Sequence, residues 1–250
     1  MSAYAPFAPY YDGLMRKAGY SQRADYLCSL LAHFEHAPGL TLDLACGTGS
    51  MTVELAKRGV DIYGTDADAA MLSEAMQKAD EAGLSILFLC QKMQQLELYG
   101  TVDTVICTLD GLNHLSGERD LRKTFERVSL FLNPGGYFLF DMNTVYKHRT
   151  VLGNHTFVYD TEQVFCVWQN ALDAETDRVS ITLDFFEKES GTVYRRSSTH
   201  FYERAYSQEK LCALLEETGF QVRGVFADMT MLPPDPNCER LVVAAQKREA

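Results

Sequence analysis

The chain has 250 residues, 46% from the apolar set AVILMFWYC and 23% charged, a balance that supports a packed core and excludes a disordered chain. Acidic residues outnumber basic ones by 34 to 23, a formal charge of −11, so neither nucleic acid nor an anionic membrane is expected as a partner. There is no run of 18 apolar residues and no basic start followed by an apolar core, which predicts a cytoplasmic protein without a membrane span or secretory signal.

The first helical pattern places Tyr26, Leu27, Leu30, Leu31 and Phe34 on one face. Short apolar runs then alternate with helical patterns. A strand is predicted over 40–45, a helix over 49–58 closed by Gly59, and a second strand over 60–65. Asp68 can cap the next helix, with Met71, Leu72, Ala75, Met76 and Ala79 facing inward and Gly83 as its stop. Strands over 85–90 and 102–108 follow, then a helix over 116–132 buried through Leu121, Phe125, Val128 and Leu132. Asn133-Pro134-Gly135-Gly136 turns the chain sharply into a fifth strand over 137–142. The alternation predicts βαβ units around a doubly wound sheet. The fifth strand is apolar almost throughout, as expected where helices cover both faces.

From residue 143 the period changes to two: Val179, Ile181, Leu183 and Phe185 alternate with Ser180, Thr182 and Asp184. Further strands around Phe157, over 165–169 and over 194–202, with turns at 173–177 and 189–192, complete an antiparallel unit. Helical patterning returns after Ser207, with Leu211, Leu214 and Leu215 inside and Gly219 at the end, and closing strands are predicted over 220–226 and 240–246. Residues 1–142 and 205–250 are therefore expected to form one α/β domain, and 143–204 an inserted antiparallel β lid.

The stretch Thr41 to Ser50, TLDLACGTGS, falls where the first strand enters the first helix of the sheet. Gly47 and Gly49 allow a tight turn and close approach of a ligand at the carboxyl edge of the sheet. A dinucleotide fingerprint would need a third small residue where Thr52 stands, and Asp43 precedes the loop by four residues. An acid there repels a pyrophosphate but can hold an ammonium, directly or through water. Asp66 ends the second strand and can accept both hydroxyls of a ribose. A ribose and an ammonium together point to S-adenosylmethionine.

With Asp43, Ala45, Gly47 and Gly49 meeting D/E-x-G/A-x-G-x-G, the chain resembles the class I S-adenosylmethionine-dependent methyltransferases, closest to bacterial small-molecule members with a β insertion after strand five. The resemblance covers nearly the whole chain. It implies a seven-stranded Rossmann-like sheet and a cofactor site drawn from Tyr11, Asp43, Ala45, Cys46, Gly47, Gly49, Asp66, Ala67, Met71, Lys92, Met93 and Leu109. It implies transfer of a methyl group to a small-molecule oxygen or nitrogen nucleophile, with S-adenosylhomocysteine as product. Lys92 departs from the pattern: similar proteins often carry an acid there that accepts from the adenine amino group, which a lysine cannot do. Tyr10 and Tyr11 resemble an N-terminal element that folds over the methionine end of the cofactor.

Leu109-Asp110-Gly111-Leu112-Asn113-His114 follows the fourth strand, where the acceptor is expected. N-P-P-Y is absent, which counts against exocyclic or amide nitrogens. His114 and Asp110 are the candidate bases, each with an ordinary structural reading beside it. Tyr159, Trp168, His200 and Tyr202 are candidate pocket walls, and Lys147, His148 and Arg149 a candidate patch for an acid group. Seven scattered cysteines, none in C-x-x-C spacing, read as reduced and mostly buried, and six unpaired histidines predict no metal site. The chain is expected to be a monomer or homodimer. A non-catalytic S-adenosylmethionine sensor and a nicotinamide-dependent oxidoreductase are the rival readings, the latter opposed by Thr52 and Asp43.

Overall fold

A computed structural model describes residues 8–15, 18–115, 117–162 and 164–249. After α1 (Ala8–Leu14) and α2 (Tyr20–His33), the chain alternates through β1 (Leu40–Leu44), α3 (Ser50–Lys57), β2 (Asp61–Asp66), α4 (Ala69–Glu81) and β3 (Phe88–Cys90). It continues through β4 (Val102–Cys107), α5 (Glu118–Phe131) and β5 (Leu132–Asn143). Then come β6 (Thr156–Asp160), β7 (Val164–Asp173), β8 (Arg178–Ser190) and β9 (Val193–Arg204), and finally α6 (Gln208–Glu217), β10 (Phe220–Ala227) and β11 (Arg240–Lys247).

The main sheet has seven strands in the order β10-β11-β5-β4-β1-β2-β3. β1 through β5 run parallel, and β11 is antiparallel to both β5 and β10. Buried side chains of α5 and α6 pack with Phe138 and Phe140 on one face, while those of α2 and α3 pack with Ile106 and Leu139 on the other. The chain reverses its direction of travel between β1 and β4, the switch point where open α/β sheets bind ligands.

The inserted strands β6 to β9 form a separate antiparallel sheet in sequential order. Val179, Ile181, Leu183 and Phe185 are all buried on one face, as their spacing predicts. They pack with α1 residues Ala8, Tyr10, Tyr11 and Leu14 and with Met71 of α4, so α1 lies between the two sheets. Tyr10 stacks on Phe185 at 5.7 Å between centroids.

Some elements differ from expectation. The third strand is only three residues long, since residue 87 is already exposed and only Phe88 to Cys90 find partners on β2. The fifth starts five residues early: β4 pairs with Leu132, slips, and resumes at Tyr137, so the Asn-Pro-Gly-Gly segment lies at an irregularity inside a strand. Asp68 caps α4 as predicted, accepting from the amides of Ala70 and Met71, but Met76 is exposed. The predicted start of α5, residue 116, lies outside the described residues. Of the seven free cysteines, Cys107 and Cys166 are buried and Cys90 is exposed, with the rest half-buried. Among the described residues no helix is long and apolar enough to cross a membrane.

Candidate functional site

Two strongly bent loops leave adjacent strands at the switch point. After β1, Ala45, Gly47 and Gly49 all adopt left-handed backbone, with φ of 60°, 55° and 71°. A Cβ on Gly49 would stand 2.7 Å from that of Ala75, so glycine is required for α3 to start this close to α4. After β4, Leu109 and Asp110 are also left-handed, at 55° and 58°, which is uncommon outside glycine. Asp141, at the end of β5, holds that turn by accepting both amides, Leu109 on Oδ2 and Asp110 on Oδ1, each at 2.8 Å.

Between the loops lies a cavity of about 350 Å³. Of the sequence-predicted cofactor residues, Tyr11, Ala45, Cys46, Gly47, Asp66, Ala67, Met71, Lys92, Met93 and Leu109 line it, as does His114. Asp66 ties two segments together, its oxygens accepting from the amides of Gly47 at 2.9 Å and Asp68 at 2.8 Å. Burial raises its carboxyl and these two amides oppose the shift. Each carboxylate oxygen accepts more than one hydrogen bond, so Asp66 retains acceptor capacity toward a ligand. The Cys46 thiol is pushed well up by burial and by the charges of Asp43 and Asp66; it stays neutral and is not a nucleophile.

Three predicted residues are not in the wall. Asp43 is 1% exposed beneath the loop, where its Oδ2 accepts the Thr52 hydroxyl at 2.6 Å. β1 is a central strand covered on both faces, so this carboxylate meets α3 and makes no direct contact with the cavity. Burial pushes it up to about 7. Gly49 faces α4. Asp110 turns toward β11, where Arg240 bridges it to Asp141. Burial alone would favour losing the arginine's proton, but the Asp141 and Asp110 charges outweigh it and Arg240 stays charged. Burial raises the Asp110 carboxyl and the Arg240 charge opposes the shift.

His114 lies between two acids, its Nε2 3.8 Å from Asp110 Oδ2 and 3.9 Å from Glu203 Oε1. Glu203, on β9, is 3% exposed and accepts from Asn143 Nδ2 at 3.0 Å. His148 stands beyond it, with Nε2 3.5 Å from Glu203 Oε2 and Nδ1 directed at the Asp177 carbonyl at 2.9 Å. Burial would raise the Glu203 carboxyl, but the His148 bond, the two imidazoles and Asn143 overcome it and hold it low. Asp110, His114 and Glu203 bring ligand atoms within 4.8 Å of one another. The two acids already face Arg240, His148 and the Lys147 ammonium, however, which act on them as local counter-charges.

The patch predicted from Lys147, His148 and Arg149 does not form a surface. These residues start a π-helical turn, Lys147–Leu152, that buries His148 completely and leaves Arg149 paired with Asp177 at 2.6 Å. Of the four aromatic candidates in the insertion, Tyr202 alone lines either of the cavities that adjoin His114. His200 stands on the outer face with Ser180, and Trp168 is held by Asn170 and packs on Tyr159. A second cavity of about 240 Å³ shares His114 and Leu115 with the first and is bounded by Tyr202 and Glu203 of β9.

Several site residues were not anticipated. Thr48 and Ser50, inside the glycine-rich stretch, donate to Asp12 Oδ1 and accept from the Lys78 ammonium, which ties α1 and α4 to the start of α3. Their place in the motif was an available signal. Tyr20, Glu203 and Arg240 carry no local signal; Arg240 stands 130 residues from the Asp110 it holds.

Three observations test the fit to an adenosyl sulfonium ligand. Among the described residues the Tyr20 hydroxyl, buried in the cavity wall beside Tyr11 and Ser50, has no hydrogen bond of ordinary geometry. α3 begins with no side-chain cap, leaving first-turn amides for a carboxylate. Asp66 offers acceptor capacity where a ribose would lie. The donor set fits.

This fold and cavity define a class I methyltransferase. Residues 41–136 match the family model described as a methyltransferase domain. YqeM of Bacillus subtilis (strain 168), which bears a methyltransferase name, is 35% identical over 246 residues, 98% of this chain and 97% of its own. The crystal structure of an S-adenosylmethionine-dependent methyltransferase from Clostridium acetobutylicum ATCC 824 superposes with a TM-score of 0.88 at 31% identity, covering 99% of this chain and 100% of that one. A glycine/sarcosine N-methyltransferase of Halorhodospira halochloris is 25% identical over 209 residues, 82% of this chain and 74% of the relative. The chain belongs to the S-adenosylmethionine-dependent methyltransferases, and it is an enzyme whose methyl donor is S-adenosylmethionine.

Proposed function

We propose that the 350 Å³ cavity is the S-adenosylmethionine site and that His114 receives a proton from a small-molecule amine or hydroxyl held in the adjoining cavity. The observation that carries this reading is the position of His114 in the walls of both cavities. Asp66 would hold the ribose hydroxyls, the amides at the start of α3 with Tyr20 the carboxylate, and Lys92 and Met93 the flank of the adenine. Asp43 acts from below by fixing Thr52 and the loop. The cofactor supplies a methyl group on a sulfonium: the acceptor's lone pair forms the new bond to carbon as the carbon–sulfur bond breaks, its electron pair remaining on sulfur. What the chain contributes is alignment and exclusion of water, with the acceptor's proton leaving to the His114 imidazole.

On this reading residues 143–204 are the acceptor-side subdomain of a cofactor domain formed by 1–142 and 205–250. Glu203 supports it, since a buried anion behind His114 stabilises the imidazolium formed when the proton arrives. The glycine/sarcosine relative supports a small amine as acceptor. Titration of the protein with S-adenosylmethionine, S-adenosylhomocysteine and NAD, repeated on Asp66→Ala and Asp66→Asn, tests the assignment. Adenosyl ligands are expected to bind and to weaken at least tenfold in Asp66→Ala. Binding of NAD alone, or adenosyl binding indifferent to Asp66, would overturn it.

A further inference from the structure

The second cavity has a charge asymmetry that the chemistry at His114 does not explain. Arg178 of β8 and Arg204 of β9 are direct cross-strand partners, so their side chains share one face of the inserted sheet. Like charges placed directly opposite one another on a sheet are unfavourable. Both residues line the 240 Å³ cavity, and among the described residues neither forms an ion pair.

The neighbouring acids direct their hydrogen bonds elsewhere. Asp173 stands opposite Arg178 on β7 and feels its charge, but its oxygens accept from the Glu175 amide and the Thr176 hydroxyl and from neither arginine. Glu118, whose carboxyl feels the Arg204 charge, is bonded to Lys210 at 2.7 Å. Asp177 is held by Arg149. Glu203 bounds the same cavity from the far side of β9, where its carboxylate faces His114, Asn143 and His148.

Both guanidinium groups are instead held by aromatic rings. Arg178 lies over Tyr202 at 4.6 Å from the ring centroid and Arg204 over Tyr206 at 5.2 Å. Stacking fixes a guanidinium's plane while leaving its edge donors free. Among the described residues the buried Nε of Arg204 has no hydrogen-bond partner, and a buried charged donor left unmet is unfavourable. Two oriented, unpaired arginines at the mouth of a cavity, in a chain whose net charge is −11, form a local site for an anion.

We infer that Arg178 and Arg204 bind an anionic group on the methyl acceptor, so that the acceptor is a small amine or alcohol that also carries a carboxylate or phosphate. Its anionic end lies at the arginine pair and its nucleophilic end at His114 and Glu203. Each guanidinium can donate two parallel N–H groups to such a group. This rests on the reading of the larger cavity as the cofactor site.

The test uses probes that differ in the anion. The full chain is saturated with S-adenosylhomocysteine and titrated calorimetrically with β-alanine, phosphoethanolamine, propylamine and ethanolamine. β-Alanine, phosphoethanolamine or both are expected to bind at least tenfold more tightly than the amines without an acid group. The tighter of the two tells a carboxylate from a phosphate site. Arg178→Met, an exposed position that does not threaten folding, and Arg204→Met are each expected to erase that difference. S-Adenosylhomocysteine binding by the same variants reports that they are folded. With that ligand bound, equal affinity for all four probes, no binding of either acid, or acid binding indifferent to both arginines overturns the anion subsite. Failure of S-adenosylhomocysteine itself to bind overturns the cofactor reading, and the subsite with it.

Discussion

The two walls that meet at His114 are built by different means. On the main-sheet side, contacts are made by a short loop: Ala45, Gly47 and Asp66 lie within 22 residues, and the working groups are largely backbone amides held by one carboxylate. Behind His114, Asp110 and Arg240 of the main sheet and His148 and Glu203 of the insertion come from four separate parts of the chain and meet as a buried polar cluster. The first wall tolerates many side chains, provided that the backbone can bend. The second is intolerant, because removing one member leaves its partner charged and dry.

Breaking the second wall at its front should produce the largest effect. His114→Ala is expected to lower the methylation rate by roughly 10²–10⁴, the usual contribution of a general base, while S-adenosylhomocysteine affinity stays within about twofold. Calorimetry beside a product-release assay checks both, and an unchanged rate across pH would remove His114 from the mechanism. Behind it, Glu203→Ala should cost about 3–5 kcal/mol of stability by leaving His148 and Asn143 without their acceptor. At about 2–4 °C per kcal/mol, thermal unfolding should shift by roughly 10 °C.

The first wall is better probed by pH. The Asp43 carboxyl is raised to about 7 from an unfolded value of 3.8. The folded state therefore holds that proton more tightly than the unfolded state. Its stabilising effect is complete below about pH 4 and is lost as pH rises through about 7. Asp43→Asn keeps an acceptor for Thr52 and removes the titration, so its stability relative to the parent should increase from pH 4 to pH 7, by a few kcal/mol at most. Urea unfolding at both pH values measures the change, and parallel pH profiles for the two proteins would refute it. The smallest effect concerns the rim: Lys92→Asp supplies an acceptor beside the cavity and should tighten S-adenosylhomocysteine by up to about tenfold, the yield of one charge-assisted hydrogen bond.

The first wall was legible because its determinants are local. Glycine at 47 and 49 takes the left-handed turn its position allows and Asp68 caps its helix as its spacing predicts, while Asp66 ends the second strand and holds the Gly47 amide. Asp43 and Asp110 stand beside the cavity but face away from it. Their distance from the loop is visible in the sequence, whereas the contacts that claim them, Thr52 across a helix and Arg240 across 130 residues, are not. Likewise Lys147, His148 and Arg149 form a basic run in sequence, yet the turn that contains them directs His148 inward and Arg149 onto Asp177.

By itself the sequence determined the alternation of strands and helices, the inserted sheet and the class of cofactor, because hydrophobic period, glycine placement and capping act over a few residues. Tertiary structure alone decided which acids face the cavity, that His114 stands between two pockets, and that Arg178 and Arg204 meet across two strands without an ion pair among the described residues. Those properties depend on how far charges separated by tens to hundreds of residues are brought together and kept from water, which no local pattern encodes.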